Sequence, residues 1–318
     1  MTIDTTLEVL SKKIEEAEKI VLLSHLNPDA DTMCSAAAFY DVLFRKQKKI
    51  VHFNASDEIA TAMKKISYSE KLQSTFPEKF DLAISFDCGS FKRLGIEKFS
   101  QDLINIDHHI SNEKYGTINI VKPEKVSTTQ VVYDLLKQLN WKISPIAAQL
   151  LFTGLVSDSL SFGTDRVDSA VFAMASDLIE LGASPQKARE ALYEQNSLAR
   201  MRLAALMMKS LSLHVDGQFA IVHATQEMFE ETGAQRSDTE EALRMIMSMG
   251  VVTTALILRV ELNGQLKGSL RTKTEVNVSH IASKYGGGGH VRASGFETEK
   301  SIDEIKKEMI EIFEKELR

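Results

Sequence analysis

Apolar residues at Leu7, Leu10, Ile14 and Ala17 recur at helical spacing and predict a helix over residues 2–18. A compact apolar run, Ile20 to Leu23, follows and ends in Ser24 and His25. Ser35 to Leu43 reads as a helix, and Ile50 to Phe53 as a second short strand. Asp81 to Phe86 and Leu103 to Ile106 read as a third and a fourth. Short apolar strands separated by helical patterns predict a mainly parallel sheet covered by helices, because such strands are buried on both faces.

Helical patterns continue over 127–140, 145–160 and 168–182. Ser184 and Pro185 then open a long helical stretch to about Leu213, read as a connector. A second alternation follows: a strand from Phe219 to His223, helices over 225–232 and 237–249, and a hairpin turning at Asn263-Gly264 between Val251–Glu261 and Gln265–Thr272. A short helix over 277–285, four glycines from Gly286 to Gly289, a strand to Glu297 and an amphipathic helix over 301–317 complete the chain. The expectation is an α/β protein: a first domain over 1–185, a helical connector over 186–212, and a smaller α/β domain over 213–318.

Composition narrows the classes. With 43% hydrophobic and 26% charged residues the chain has ordinary globular proportions, and 16 glycines and 5 prolines are too few for a low-complexity chain. The net charge of −6 excludes a broadly basic nucleic-acid coat, though not one small basic pocket. Two cysteines, Cys34 and Cys88, make no disulfide framework and no CxxC zinc site. No stretch reaches the roughly 18 apolar residues of a membrane span, and the N-terminus has no continuous apolar signal core. The expectation is a cytoplasmic protein with no membrane or long nucleic-acid partner.

Three predicted strands end in titratable residues: the first at His25, the third at Asp87, the fourth at Asp107-His108-His109. Open α/β sheets bind ligands beyond the carboxyl ends of their strands. Ser24-His25-Leu26-Asn27-Pro28-Asp29-Ala30-Asp31 sets an imidazole and two carboxylates in one turn. That mixed set suits manganese, iron or zinc, or else the acids simply cap the next helix. Adjacent His108 and His109 cannot both face a core, so they belong to a site or to a solvated loop. Asp158 ends an apolar helix, where the dipole disfavours a carboxylate unless a cation lies beside it.

In this order, HxxxDxD, Asp87, Asp107-His108-His109 and Asp158 resemble the four motifs of the DHH phosphoesterase superfamily. Gly286 to Gly289, His290 and the following Val291-Arg292-Ala293-Ser294-Gly295 resemble the glycine-rich motif of the DHHA1 domain. The first motif departs from many relatives in having Ala30 between its acids, and the last in having Ser294 where a second alanine is common. The two-domain layout is most similar to the NrnA group, which hydrolyses nano-RNA of two to five nucleotides and removes the 3′-phosphate of pAp. Related proteins cleave linear or cyclic dinucleotides.

The resemblance implies two divalent ions, usually manganese, with magnesium or cobalt as alternatives. His25, Asp29 and Asp87 would hold one; Asp31, Asp87, His108 and Asp158 the other. His109 would face the substrate, and Asp107 would orient a ligand. Arg271, Gly287, Gly288, Gly289 and His290 would bind substrate phosphate across a cleft between the domains, with the glycine backbone approaching the anion closely. The alternative reactions are dinucleotide hydrolysis or, in a different class, nucleotide sensing without catalysis. A homodimer is compatible with the resemblance.

Overall fold

The computed structural model describes residues 3–56, 59, 63–193 and 196–317, and the chain divides into two compact units, Met1–Gln195 and Asn196–Arg318. The first unit runs α1 (Ile3–Glu16), β1 (Lys19–Ser24), α2 (Ala30–Arg45), β2 (Lys49–Asn54), β3 (Leu72–Gln73), β4 (Leu82–Phe86), β5 (Asp102–Asp107) and β6 (Ile118–Val121). It ends with α3 (Thr128–Gln138), α4 (Pro145–Asp158), α5 (Ser169–Glu180) and α6 (Pro185–Tyr193). The strands form one parallel sheet in the order β3-β2-β1-β4-β5-β6. The chain builds outward from β1 to β3, then returns to lay β4 on the other side of β1. The order therefore reverses between β1 and β4, and a crevice opens beyond their carboxyl ends.

The four apolar runs are β1, β2, β4 and β5, the wholly or largely buried strands of the sheet. The strands β3 and β6 escape the pattern because β3 has two residues and β6 buries only Ile120. Among the described residues, the α-helices pack on one face only, where Leu10, Ile14, Phe39, Leu136 and Leu151 meet Ile84, Phe86 and Ile104. The other face, carrying Val21, Phe53 and Leu103, is covered by aromatic side chains from loops. Phe76 packs edge-on to Phe53 and Phe80, at ring separations of 5.1 and 5.4 Å.

The helix α2 begins at Ala30, five residues before the apolar pattern suggests, because Asp29 caps it: Oδ1 accepts from Thr32 N at 3.0 Å.

The second unit contains α7 (Leu198–Lys209), β7 (Ser212–His214), β8 (Phe219–Ala224), α8 (Gln226–Thr232), α9 (Glu240–Met247), β9 (Thr254–Val260), β10 (Leu266–Thr272), α10 (Val278–Ser283), β11 (Gly288–His290), β12 (Ala293–Thr298) and α11 (Ile302–Glu316). Its sheet has the order β11-β12-β10-β9-β8-β7, with only β8 and β9 parallel. Alternating side chains feed two cores. Phe219, Leu256 and Leu270 meet α10 and α11 on one face; Ala220, Val222 and Ile257 meet α7 and α9 on the other.

The helical stretch read from Ser184 to about Leu213 contains α6, which buries Ala188 in the first unit's core, and α7, which buries Leu203 and Met207 in the second's. Ser197 caps α7 by accepting from Arg200 N at 3.1 Å, and residues 194–195 lie outside the described residues.

Candidate metal centre

Strand ends deliver the acids and imidazoles of the first unit to one place. His25 follows β1, Asp87 follows β4, Asp107 closes β5 ahead of His108 and His109, and Asp158 is the last residue of α4. Donor atoms within 4.8 Å of one another form three groups: His25, Asp29 and Asp87; Asp31, His108 and Asp158; and Asp87, His108 and His109. Asp87 and His108 each belong to two groups, so the cluster is continuous. Asp87 takes a left-handed conformation (φ 54°), which Asp tolerates better than most residues and which marks a site held under local strain.

The imidazoles are oriented as ligands. His108 Nδ1 lies 3.3 Å from the Lys125 carbonyl, and His25 Nδ1 lies 2.7 Å from the Leu26 carbonyl. A carbonyl only accepts, so these contacts assign the proton to Nδ1 and leave the Nε2 lone pair facing inward. His108 Nε2 then lies 3.5 Å from Asp87 and 3.3 Å from Asp158. His25 Nε2 lies 3.9 Å from both Asp29 and Asp87. Neutral nitrogen lone pairs and carboxylate oxygens facing each other at these distances repel unless a cation sits among them. This donor set of neutral imidazoles and carboxylates fits a manganese-, iron- or zinc-like divalent ion.

The carboxylates are held by hydroxyls and by a helix end. Thr32 Oγ1 and Thr128 Oγ1 donate to the two oxygens of Asp87, at 2.7 and 2.9 Å. Asp31 receives Thr128 N at 2.6 Å, Thr129 N at 3.0 Å and Thr129 Oγ1 at 2.8 Å, at the amino end of α3. Gly154 gives α4 its close approach: a Cβ there would lie 2.4 Å from Thr129 Cγ2 and 3.1 Å from Asp31 Oδ1.

Burial is the main cause that pushes the Asp31, Asp87 and Asp158 carboxyls up, and repulsion from neighbouring carboxylates, Asp29 among them in each case, adds to it. For Asp158 the result is about 7. Burial also pushes His108 below the ordinary histidine value. Such a cluster favours whatever cation relieves it.

Asp107 holds both histidines that follow it, one by its ring and one by its backbone. Its Oδ1 accepts from His109 Nδ1 at 2.7 Å and from the backbone of His108 at 2.8 Å, and its Oδ2 accepts from Asn112 at 2.5 Å. The hydrogen bond to Asp107 raises the pKa of His109, while the rest of the half-exposed ring stays accessible.

The remaining candidates lie in the second unit. Register pairs Arg271 with Ala293 and Ala293 with His290, so Arg271 and His290 share one face with Ala293 between them. The glycines divide in role. A Cβ on Gly287 would lie 2.1 Å from the Gly295 carbonyl, and one on Gly289 2.6 Å from the Ala293 carbonyl, whereas Gly288 has open space. Gly287 and Gly289 are thus required by packing on β12 as well as being candidates for anion contact. Arg292 pairs with Glu275 at 3.0 Å, and the Ser294 hydroxyl donates to the Val278 carbonyl at 2.6 Å.

Sequence reading missed Thr32, Thr128, Thr129 and Gly154. Ser127-Thr128-Thr129 reads only as a helix start, and nothing local ties it to Asp31 or Asp87.

Residues 19–155 match the DHH family, N-terminal domain, and residues 217–315 match the DHHA1 domain. The chain is 26% identical over 295 residues to the bifunctional oligoribonuclease and PAP phosphatase NrnA of Bacillus subtilis (strain 168), covering 90% of this chain and 91% of that protein. An exopolyphosphatase-related protein from Bacteroides fragilis has the same fold, with a TM-score of 0.88 at 23% identity over 100% of this chain and 99% of that one. RecJ from Thermus thermophilus, crystallised with Mn2+, gives a TM-score of 0.55 at 14% identity, over 98% of this chain and 54% of that one. With strand-end acids and imidazoles in one unit and the glycine-histidine motif in the other, the chain carries a DHH family N-terminal domain followed by a DHHA1 domain.

Proposed function

We propose that the protein is a manganese-dependent phosphoesterase that hydrolyses RNA of two to five nucleotides to nucleoside monophosphates and removes the 3′-phosphate of pAp. One observation carries the reading: His25, Asp29, Asp31, Asp87, His108, His109 and Asp158 form overlapping donor groups at the carboxyl ends of the strands. Similarity to NrnA along nine-tenths of the chain supports the choice of substrates.

His25, Asp29 and Asp87 would hold one divalent ion, and Asp31, Asp87, His108 and Asp158 would hold the other. When bound, the ion pair supplies Lewis acidity, stabilising phosphoryl charge and making water acidic enough to attack near neutral pH. The four carboxylates balance two divalent charges, so the site accepts an anionic diester without net repulsion. The threonine hydroxyls on Asp87 and the α3 amides on Asp31 fix the carboxylates before substrate arrives. Asp107 keeps the proton of His109 on Nδ1, which leaves Nε2 to meet a substrate oxygen. In the second unit, Arg271 and His290 offer a cationic fork and an imidazole on one face, chemistry suited to phosphate, beside the open Gly288 backbone.

The test is turnover with manganese of 5′-phosphorylated RNAs of two to twenty nucleotides, pAp, pApA and a cyclic dinucleotide, with Asp87→Ala as control. Fast hydrolysis of two- to four-mers and of pAp, lost in the control, supports the proposal. Equal rates on two-mers and twenty-mers defeat the short-substrate reading. Preference for one dinucleotide moves the protein to dinucleotide turnover, and binding without turnover makes it a sensor.

A further inference from the structure

Arg93 lies in a one-turn helix, Phe91–Leu94, in the loop after β4. Its carbonyl accepts from Leu26 N at 2.8 Å, which ties this loop to the one after β1. Its side chain is exposed, and Nη2 lies 3.1 Å from His25 Nδ1. The Leu26 carbonyl lies 2.7 Å from the same nitrogen. These neighbours make opposite demands. The carbonyl needs a proton on Nδ1, whereas the guanidinium, which only donates, needs Nδ1 bare.

For His25 to turn a lone pair from Nε2 onto the cluster of Asp29 and Asp87, Nδ1 must carry the proton. Arg93 then faces an N–H with its donors unused, and among the described residues it has no carboxylate within ion-pair distance. The planar fork sits at the rim of a site that receives a polyanion, and among the described residues no carboxylate neutralises it. It touches His25 on the Nδ1 edge, whereas Asp29 and Asp87 lie 3.9 Å from Nε2. The guanidinium is therefore one imidazole ring removed from the carboxylates that surround the reacting group.

We propose that Arg93 grips a substrate phosphate next to the one being hydrolysed, and so favours substrates carrying at least two phosphates. This rests on the phosphoesterase reading above. A phosphate oxygen accepts both prongs of the fork and releases Nδ1 to the Leu26 carbonyl, resolving the conflict at His25 as substrate binds.

The experiment compares pApA with ApA, which share the reacting diester and differ in the 5′-phosphate. Wild type, Arg93→Gln and Arg93→Lys are measured with manganese, and Mn2+ affinity is measured by calorimetry. Arg93→Gln raises KM for pApA about 10- to 100-fold, as loss of a charge-assisted hydrogen bond does, with kcat within about 3-fold. KM for ApA and the Mn2+ affinity stay unchanged, and Arg93→Lys recovers part of the loss. Equal losses on both dinucleotides, or weakened Mn2+ binding, overturn the inference and make Arg93 a support for His25. A wild-type protein that cleaves neither dinucleotide removes the phosphoesterase reading and this inference with it, whereas an active one with equal losses removes the inference alone.

Discussion

Asp31 leaves no room for a side chain at Gly154: its Oδ1 lies 3.1 Å from where a Cβ on Gly154 would stand. The glycine sits one turn before Asp158 on α4, so the spacing between these helices sets the distance between two acids of the cluster. Gly154→Ala pushes against Thr129 and Asp31 in a packed interior, at a cost of about 1–3 kcal/mol. The same displacement misplaces Asp158 and lowers kcat about 100-fold. Thermal melting and turnover check both effects, and wild-type turnover in Gly154→Ala would disconnect the helix spacing from the site.

In the metal-free protein the clustered carboxyls cost stability as pH rises. Asp158 titrates at about 7 in the folded chain against 3.8 in an unfolded one, and Asp31 and Asp87 shift the same way. A carboxyl raised on folding contributes stability that is full below its unfolded value and lost as pH climbs through its folded value. Burial of His52, pushed down to about 4, and of His108 acts in the opposite sense over the same range, so the carboxyl contribution is read as a difference between proteins. Asp158→Asn, free of metal, gains melting temperature relative to wild type as pH rises from 4 to 7, on the order of 5 °C. Manganese removes the difference's origin, because ionised carboxylates bind it best. A wild-type and Asp158→Asn difference that does not change over this range would contradict the account.

Asp107→Asn separates catalysis from metal binding. The amide keeps an oxygen for the His108 backbone but no longer stabilises a charged His109 ring. If His109 assists proton transfer, kcat falls about 10²- to 10⁴-fold, with Mn2+ affinity within about 3-fold. A variant that loses metal but turns over normally when saturated would place Asp107 behind the ligands instead.

Gly287 and Gly288 part company on substitution. A methyl on Gly287 meets the Gly295 carbonyl and Phe296, so Gly287→Ala destabilises the second unit by about 1–3 kcal/mol. A methyl on Gly288 meets no protein atom within 4 Å, so Gly288→Ala leaves melting unchanged. If its backbone approaches a phosphate, that same methyl raises KM. Normal KM with normal melting would remove Gly288 from the substrate site.

Local pattern determined much of this protein. Apolar runs wholly buried on both faces name their own strands, as β1, β4 and β5 do, and a titratable residue directly after such a run must stand at the sheet's rim. His25, Asp87 and Asp107 to His109 were therefore legible as a site from their places along the chain. The edge strands were not, because β6 buries one residue in four and its pairing with β5 supplies what its own pattern lacks. Nor was the aromatic cover over the second face of the sheet, which comes from loops without periodicity.

Tertiary structure decided how the site is held. The hydrogen bonds from Thr128 and Thr129 to Asp31 cross nearly 100 residues of chain, and a contact at that range leaves no local signature. Gly154 carries no signal in the sequence and Gly287 reads there as a phosphate contact, yet each is a steric requirement imposed by a neighbour from elsewhere in its unit. Nothing in the local pattern around Arg93 points to His25; only the fold brings the two together. Chain order determined which groups reach the rim; the packing of α3 and α4 over the strand ends determined their distances, protonation and partners, because those depend on atoms that meet only when the chain is folded.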